Sequence, residues 1–414
     1  FAERNEKEVG FYYYMQYHLD RQLRKVRDYL HSKGVVLKGD IPIGVSRTSV
    51  DVWQNPELFV TTSSAGAPPD DFSAEGQNWG FPIYNWDKMA EDNYAWWRAR
   101  FAKMADYFDA YRIDHILGFF RIWEIPCTTK SGLLGHFNPA MPLTTEEIAQ
   151  WGITFYHERH AIPYTPGDDT DVLFVEDPYQ PGTYHPRING FDTESFKALP
   201  ENERKAFYAL HDHFFYHRHN DFWYAEAMKK LPALADSTDM LVCGEDLGMI
   251  PACVPAVMSE LRILSLEIQR MPKAFGCTFD NPAHYPYYSV CTTSTHDMSG
   301  IRGWWEEDPT LTQRYWSEML HQRGKAPQEC EAWICEAIVR QHLDSPAMLT
   351  ILPLQDWMAM DEHLRYPDPT FERINVPANS NHYWRYRMHL TLEELLEAED
   401  LNRLVGRLVK QSGR

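Results

Sequence analysis

Short apolar runs alternate with helical stretches along this chain, and this alternation most limits the folds available to it. Six runs have the length and composition of strands, and they lie at residues 35–45, 111–114, 240–244, 263–268, 288–293 and 348–352. Strands that alternate with helices predict parallel βαβ units. A doubly wound sheet gives a similar pattern, but no glycine-rich phosphate loop of the standard types follows any of the runs. The sequence therefore predicts an α/β fold, and 414 residues suffice for one barrel with an insertion.

Two helices are predicted with particular clarity. Residues 9–33 carry apolar side chains at steps of three and four, and Gly34 follows as a stop signal. Residues 201–229 are predicted to form a long helix rich in aromatic side chains and histidines.

One connection is far too long for a simple βα step. Glu245 follows Asp114 by 131 positions, whereas a βαβ unit takes roughly 30 residues. Insertions at the carboxyl ends of strands commonly form lids or substrate walls. We therefore predict three segments: a first part of the catalytic barrel at 1–126, an insertion or lid at 127–240, and a second part of the barrel at 241–414.

The composition excludes several classes of partner. The formal net charge of −19 would repel nucleic acid and anionic lipid, while a neutral sugar is indifferent to it. No apolar run approaches the roughly 20 residues that a membrane span requires. The seven cysteines are scattered and never form C-x-x-C, which is typical of free thiols in a reducing compartment, so we expect a cytoplasmic protein.

Carboxylates stand directly after four of the predicted strands, where parallel α/β folds gather their chemistry. They are Asp114, Glu245, Asp297 and Asp356. Retaining glycosyl transfer needs two such groups with opposite duties: one ionised to attack the anomeric carbon, the other protonated to release the leaving oxygen. A separation of about 5–5.5 Å suits this covalent route.

The residues around these carboxylates fit the two duties. Arg112 lies two positions before Asp114, so on a strand the two side chains share a face, and the guanidinium would keep Asp114 ionised. Glu245 needs a raised pKa, which burial would supply. Asp297 would stabilise positive charge on the sugar ring, and His115 and His296 could donate hydrogen bonds to sugar hydroxyls. Taken singly, Arg112 with Asp114 is ordinarily explained as a surface ion pair, and Glu245-Asp246 as a helix cap.

A histidine-rich stretch raises the question of a metal. His211, His213, His217 and His219 fall within nine positions, and the second and third share a helix face. No nearby cysteine or acidic pair completes a tetrahedral set, so a polar helix face is the preferred interpretation.

Several of these motifs resemble the conserved regions of glycoside hydrolase family 77, the amylomaltases or disproportionating enzymes. The strongest are Tyr111-Arg112-Ile113-Asp114-His115, Gly244-Glu245-Asp246-Leu247-Gly248 and Ser294-Thr295-His296-Asp297. Weaker matches are Gly39–Ile43 with Ser49–Trp53, the loop Ala67-Pro68-Pro69-Asp70 through Gln77-Asn78-Trp79-Gly80, Pro353–Asp356 and Arg373–Pro377. The likeness runs from about residue 11 to 388.

The resemblance implies a (β/α)₈ barrel and an acceptor-dependent transfer of α-1,4-linked glucosyl or maltosyl units without a cofactor. By that likeness Asp114 is the nucleophile, Glu245 the acid/base and Asp297 the transition-state stabiliser, with Arg112 and His296 in support. The resemblance also implies a substrate-binding set composed of Asp51, Gln77, Trp79, His115 and Asn375.

The front of the chain departs from the family pattern. The strand at 35–45 matches the family's third strand, so strands one and two are expected outside this sequence, in an N-terminal remainder of the same protein that is an expected partner of this chain. The long segment after Asp114 resembles the cytosolic maltose-metabolising type, whose full-length members carry starch-binding modules. We expect the 414-residue chain to be inactive alone.

Two other functions fit the same residues. An α-glucan hydrolase of the amylase or glucosidase type would use these carboxylates with water as the acceptor. A catalytically inactive glucan-binding protein could retain the barrel, although all three carboxylates and Arg112 are present.

Overall fold

The structure is a computed structural model that describes residues 1–69, 73–129, 131–162, 171–377, 379 and 382–414. Asp70, in the predicted active-site loop, lies outside the described residues. The chain forms two compact units, Phe1–Ile263 and Leu264–Arg414. The limits predicted for an insertion at 127–240 stay a prediction.

Both units combine helices with short strands, which confirms the predicted α/β class. The strands are β1 (Lys38–Ile41), β2 (Phe59–Val60), β3 (Ser63–Ala67), β4 (Gln77–Asn78), β5 (Ile83–Tyr84), β6 (Ala110–Ile113), β7 (Ile122–Pro126), β8 (His136–Asn138), β9 (Leu143–Thr144), β10 (Ala161–Ile162), β11 (Phe174–Glu176), β12 (Thr183–Pro186), β13 (Leu241–Gly244), β14 (Ser265–Ile268), β15 (Ser289–Thr292) and β16 (Leu349–Thr350).

The helices vary from one turn to more than seven turns. The α-helices are α1 (Glu6–Ser32), α2 (Val50–Gln54), α3 (Trp86–Ala90), α4 (Ala95–Ala105), α5 (Thr145–Gln150), α6 (His157–His160), α7 (Glu194–Lys197), α8 (Glu201–Asp212), α9 (Asn220–Ala235), α10 (Val254–Glu260), α11 (Ile301–Glu307), α12 (Pro309–Glu318), α13 (Ala332–Leu343), α14 (Leu354–Met358), α15 (Leu392–Glu397) and α16 (Glu399–Ser412). Short 3₁₀ helices lie at Ala2–Asn5, Pro56–Leu58, Ile116–Phe119, Gly132–Leu134, Gly190–Asp192, Pro282–His284 and Pro369–Glu372.

A three-stranded parallel sheet of order β1-β6-β13 organises the first unit. Ile41 and Gly244 both stand opposite Ile113 of the central strand, so the three strands end at one level. One face of this sheet is apolar: Tyr111 and Ile113 are fully buried, and the Tyr111 ring packs 4.9 Å from that of Phe101 in α4. The opposite face carries the polar residues of the candidate site.

Two sheets with mostly antiparallel pairing occupy the sequence around and after the first catalytic motif, and the exception is the parallel pair β10–β11. One has the order β4-β3-β7-β8 and joins the 63–78 loop region to the segment after Asp114. The other, of order β10-β11-β12-β9, lies wholly within residues 143–186. The buried rings of Phe174, Phe207 and Phe214 in the long connection belong to the same apolar core as Tyr111 and Ile113 of the parallel sheet.

The second unit is built on a parallel sheet of order β14-β15-β16. Helices α11 to α14 and α16 supply most of its apolar core, in which Trp305 and Ile334 are almost fully buried. All six predicted strands are present, three in each unit, although the first and last are shorter than expected.

Two predicted helices differ from the structure in detail. The helix predicted at 201–229 is interrupted by a π-helical turn at His213–His217, between α8 and α9. The helix predicted at 9–33 is present as α1, but none of its residues is buried, and Leu19 is 58% exposed. Polar contacts join it to the rest of the unit, such as the ion pair of 2.8 Å between Lys103 and Asp20.

Across the described parts of the chain, no helix has the length and apolarity to cross a bilayer.

Candidate active site

The two carboxylates predicted to react follow neighbouring strands at equivalent positions. Gly244 pairs with Ile113 in the parallel register, so Glu245 and Asp114 each come one residue later. The backbone N–H of Glu245 donates to the carbonyl of Ile113 at 2.9 Å, which extends the ladder through this position. Side chains at matched positions of adjacent strands share a face, with backbones about 4.8 Å apart. This spacing is compatible with a retaining carboxyl pair.

Arg112 connects the first of these carboxylates to a second acidic group. Its Nη2 lies 3.1 Å from Oδ1 of Asp114, and its Nη1 lies 2.7 Å from Oδ2 of Asp40. The guanidinium side chain is only 13% exposed, so water screens its charge weakly. The predicted pairing of Arg112 with Asp114 is confirmed. The sequence reasoning missed Asp40, which meets Arg112 because the two residues are opposite in the β1–β6 register.

Glu245 has the surroundings of a proton donor. Burial raises its pKa to about 7, the nearby Asp114 charge raises it as well, and Arg112 acts in the opposite direction. Two backbone amides fix its orientation: His115 N–H donates to Oε2 at 2.9 Å, and Leu247 N–H donates to Oε1 at 2.9 Å. The acid is therefore rigidly held and exchanges its proton near neutral pH.

An aromatic platform adjoins the acid through His115. This residue adopts a left-handed conformation, with φ at +45°, and its backbone bonds Glu245 while its ring meets Trp79 edge-on at 4.9 Å. Trp79 donates from Nε1 to Oε1 of Gln77 at 3.0 Å. Burial lowers the pKa of His115 to about 3, so its imidazole is neutral. Three of the predicted substrate-binding residues, Gln77, Trp79 and His115, thus form one series of contacts that ends at Glu245.

The fourth predicted substrate-binding residue of this unit lies elsewhere. Asp51 is in α2, and its charge acts on Tyr84 and Arg100. These two side chains hold the segment after β1: Tyr84 donates to the carbonyl of Ile43 at 2.6 Å and Arg100 to that of Pro42 at 3.3 Å. The predicted role of Asp51 in sugar binding stays a prediction.

In the second unit, Asp297 is held by the other residues predicted there. Asn375 donates from its amide to Oδ1 of Asp297 at 2.7 Å, and His296 places Nε2 3.2 Å from Oδ2. The backbone N–H of Asn375 also donates to the carbonyl of His296 at 3.0 Å, and the His296 ring lies 5.0 Å from that of Trp384. Asn375, predicted to bind substrate, orients a carboxylate here.

Asp356, the fourth carboxylate after a predicted strand, has a structural place. It is 1% exposed and accepts hydrogen bonds from Thr293 at 2.6 Å, Ser294 at 3.1 Å and the backbone N–H of Ile301 at 2.8 Å. These bonds tie α14 to the end of β15 and the start of α11.

The histidines weighed as a metal site are used separately. His211 bonds the Ile188 carbonyl at 2.9 Å, and His219 bonds the Phe214 carbonyl at 2.9 Å while stacking on Trp223. The rings of His213 and His217 lie 6.5 Å apart. These contacts account for the stretch as part of the packing of α8 and α9.

Comparison with known proteins identifies the family of the chain. A family model described as 4-alpha-glucanotransferase, glycoside hydrolase 77, matches residues 1–392. A 4-alpha-glucanotransferase of Oryza sativa subsp. japonica is 39% identical and covers 98% of this chain, and one of Chlamydia trachomatis is 28% identical over 97% of it. The chain spans 50% and 61% of the length of these two relatives.

Solved structures share the fold. An amylomaltase from Streptococcus agalactiae, determined in complex with acarbose, has a TM-score of 0.66 at 22% identity and covers 100% of this chain and 64% of its own. An amylomaltase from Corynebacterium glutamicum has a TM-score of 0.60 at 19% identity, with coverage of 98% and 50%. Since the family model spans nearly the whole sequence, the chain belongs to glycoside hydrolase family 77, the 4-alpha-glucanotransferases.

Proposed function

We propose that this protein is a retaining 4-α-glucanotransferase that moves α-1,4-linked glucosyl or maltosyl units from maltose or a maltooligosaccharide to a glucan or sugar acceptor. One observation carries the proposal. Two carboxyl groups follow adjacent parallel strands at one level, one paired with a guanidinium and the other with a pKa raised to about 7 by burial. The names of the relatives support the same activity.

Each group has a definite role in the proposed reaction. Asp114 attacks the anomeric carbon as Glu245 gives its proton to the leaving oxygen, and a glycosyl-enzyme ester forms. Glu245, now ionised, takes the proton from the acceptor hydroxyl, whose oxygen displaces Asp114. Both glycosidic steps thus invert the anomeric carbon, and the product keeps the α configuration.

Further roles are proposed from the family likeness. Arg112 holds Asp114 in place, and Asp297, oriented by Asn375 and supported by His296, stabilises the positive charge that develops on the sugar ring. Asp51, Gln77, Trp79 and His115 bind sugar. Each three-stranded parallel sheet is proposed to be an arc of a (β/α)₈ barrel, with residues 127–240 as an insertion. A cytoplasmic location is supported by seven free cysteines, five of them buried.

The test uses the whole protein with maltotriose as the only sugar. We expect products both shorter and longer than the substrate, because transfer conserves the number of α-1,4 bonds. Hydrolysis predicts glucose and maltose without elongation. A protein that only binds glucans predicts no new product.

Two variants separate the roles of the carboxyl groups. With maltooligosaccharides, Asp114→Asn and Glu245→Gln are both expected to lose at least 100-fold in rate. With α-glucosyl fluoride, whose leaving group needs no acid, Glu245→Gln is expected to release fluoride and Asp114→Asn is not. Equal fluoride release by both variants contradicts the assignment. Glu57→Gln, at an exposed position, controls for the loss of one negative charge.

A further inference from the structure

Three side chains of metal-binding type converge inside the first unit, away from the carboxyl pair. They are His136 in β8, Asp177 just after β11, and His185 in β12. One ligand atom from each lies within 4.8 Å of the other two. All three are buried, with exposures of 2%, 6% and 2%. Polar side chains are seldom buried without a structural or chemical reason.

The carboxylate is oriented as metal-ligating carboxylates are. Oδ1 of Asp177 accepts from the backbone N–H groups of Tyr179 at 2.8 Å and Gln180 at 2.7 Å. This leaves Oδ2 directed at His185, whose Nε2 lies 2.7 Å away. Outer hydrogen bonds of this kind fix the direction of a ligand before any ion binds.

The two imidazoles pack against each other. The centroids of the His136 and His185 rings lie 4.6 Å apart, at an interplanar angle of 47°. Nδ1 of His185 is buried with no hydrogen-bond partner among the described residues, and an unsatisfied group of this kind is costly. Two imidazoles beside a carboxylate are a common donor set for divalent transition metals.

The cluster also has access to solvent. His136 and Asp177 line a cavity of about 370 Å³, together with Asn138, Tyr179, Gln180 and Glu226. The volume admits water and a hydrated ion, and it offers a position for a solvent ligand. A second carboxylate is near, since Oε2 of Glu124 lies 3.6 Å from Nε2 of His136.

We propose that His136, Asp177 and His185 bind one divalent transition-metal ion of the Zn²⁺ type, with water from the cavity as the fourth ligand. Tetrahedral zinc with ligands at about 2.1 Å places them roughly 3.4 Å from one another. Side-chain movements of about 1 Å bring the three atoms to that spacing. The ion would tie β8, in one antiparallel sheet, to the β11–β12 hairpin of the other. This site is independent of the proposed glucan transfer.

The experiment uses the 414-residue chain after treatment with a chelator, and Zn²⁺ as the probe. Equilibrium dialysis with metal analysis is expected to find one tightly held Zn²⁺ per chain, and the melting temperature is expected to rise by several degrees. Asp177→Asn keeps an oxygen for the two backbone amides but removes the charge, and should lose at least tenfold in affinity. His213→Gln with His217→Gln removes a half-buried and an exposed histidine from the π-helical turn and should leave the tight ion in place.

Three results would overturn the proposal: no tightly bound Zn²⁺, equal binding by the wild-type chain and Asp177→Asn, or loss of the ion in the double histidine variant. If Asp177→Asn does not fold, the amount of Zn²⁺ bound by the wild-type chain still tests the proposal. Co²⁺ at this site should give the intense visible absorption of a four-coordinate centre. The weak spectrum of six-coordinate Co²⁺ contradicts the proposal.

Discussion

The raised pKa of Glu245 predicts a pH dependence of stability that Glu245→Gln should abolish. The folded chain holds this carboxyl at a pKa of about 7, against an ordinary value of 4.5. Each pH unit between the two corresponds to about 1.4 kcal/mol, so deprotonation costs the folded state about 3 kcal/mol in total. Glutamine has the same shape and no charge, and therefore avoids this cost.

The sign follows from proton linkage. Between pH 4.5 and 7 the folded chain binds the Glu245 proton more tightly than the unfolded chain does, so this group's stabilising contribution is complete below pH 4.5 and is lost as the pH rises to 7. Both Glu245 oxygens accept a hydrogen bond from a backbone N–H, and glutamine has only one oxygen. One of the two backbone N–H groups therefore loses its acceptor in the variant. That loss is independent of pH.

The measurement therefore follows how the difference in free energy of unfolding between the two chains changes with pH. Urea unfolding, followed by tryptophan fluorescence, gives the free energy of unfolding for both chains at several values between pH 4.5 and 8. The value for Glu245→Gln minus that for the wild type should increase by about 3 kcal/mol across this range. Glu57→Gln, at an exposed position, is the control. A difference that stays constant with pH, or falls, would refute the reasoning about Glu245.

Three further changes probe the surroundings of the site and the second unit. Arg112→Met should raise the pKa of Glu245 by about 1 or more, seen by ¹³C NMR of the glutamate carboxyls, because the lost guanidinium opposes the raised value. Gly66→Ala should destabilise the fold by about 1–3 kcal/mol in thermal unfolding, since its Cβ would lie 2.0 Å from a carbonyl oxygen of β4. Arg302→Met should cost about 1 kcal/mol more at pH 8 than at pH 5, because only the ionised form of buried Glu372 is left without its 3.1 Å partner.

Each of these has a contrary outcome. A glutamate signal that titrates at lower pH in the Arg112 variant contradicts the first. Gly10→Ala in α1, where no atom lies within 4 Å of the new Cβ, is the control for Gly66, and equal melting of the two variants contradicts the second. The Arg302 variant should recover at pH 5, because burial raises the pKa of Glu372 to about 7 and protonation removes the unpaired charge.

The parts of the site that lie on one strand were predictable from the sequence. The alternation of side chains along a strand placed Arg112 and Asp114 on one face, and the apolar runs located the strands that end before Asp114 and Glu245. The pairing of Arg112 with Asp40 depends on register, which aligns residues 72 positions apart. Nothing in the local pattern encodes that alignment, so Asp40 was missed.

The segment after Asp114 shows a second limit. Its histidines at 211–219 are conspicuous because they are close in sequence, yet each is used singly in packing. The three ligand-type residues that converge, His136, Asp177 and His185, are separated by up to 49 positions and belong to two sheets. Helix α1 shows the reverse case: its apolar periodicity predicted a helix correctly, but periodicity carries no information about which surface covers that face.

Burial raises the pKa of Glu245, and the residue two positions earlier on each strand adds to the difference between the two reactive carboxyls. Asp114 stands above Arg112, and Glu245 stands above Cys243, which pairs with Arg112 across the strands. Burial raises the pKa of the Cys243 thiol to about 11, so this residue is uncharged at neutral pH. The cation on β6 therefore contacts Asp114 directly at 3.1 Å, while Glu245 has a neutral neighbour on its own strand and keeps its proton. Alternation along each strand and register between strands place the cation beside Asp114, and the burial of Glu245 makes that second carboxyl the acid.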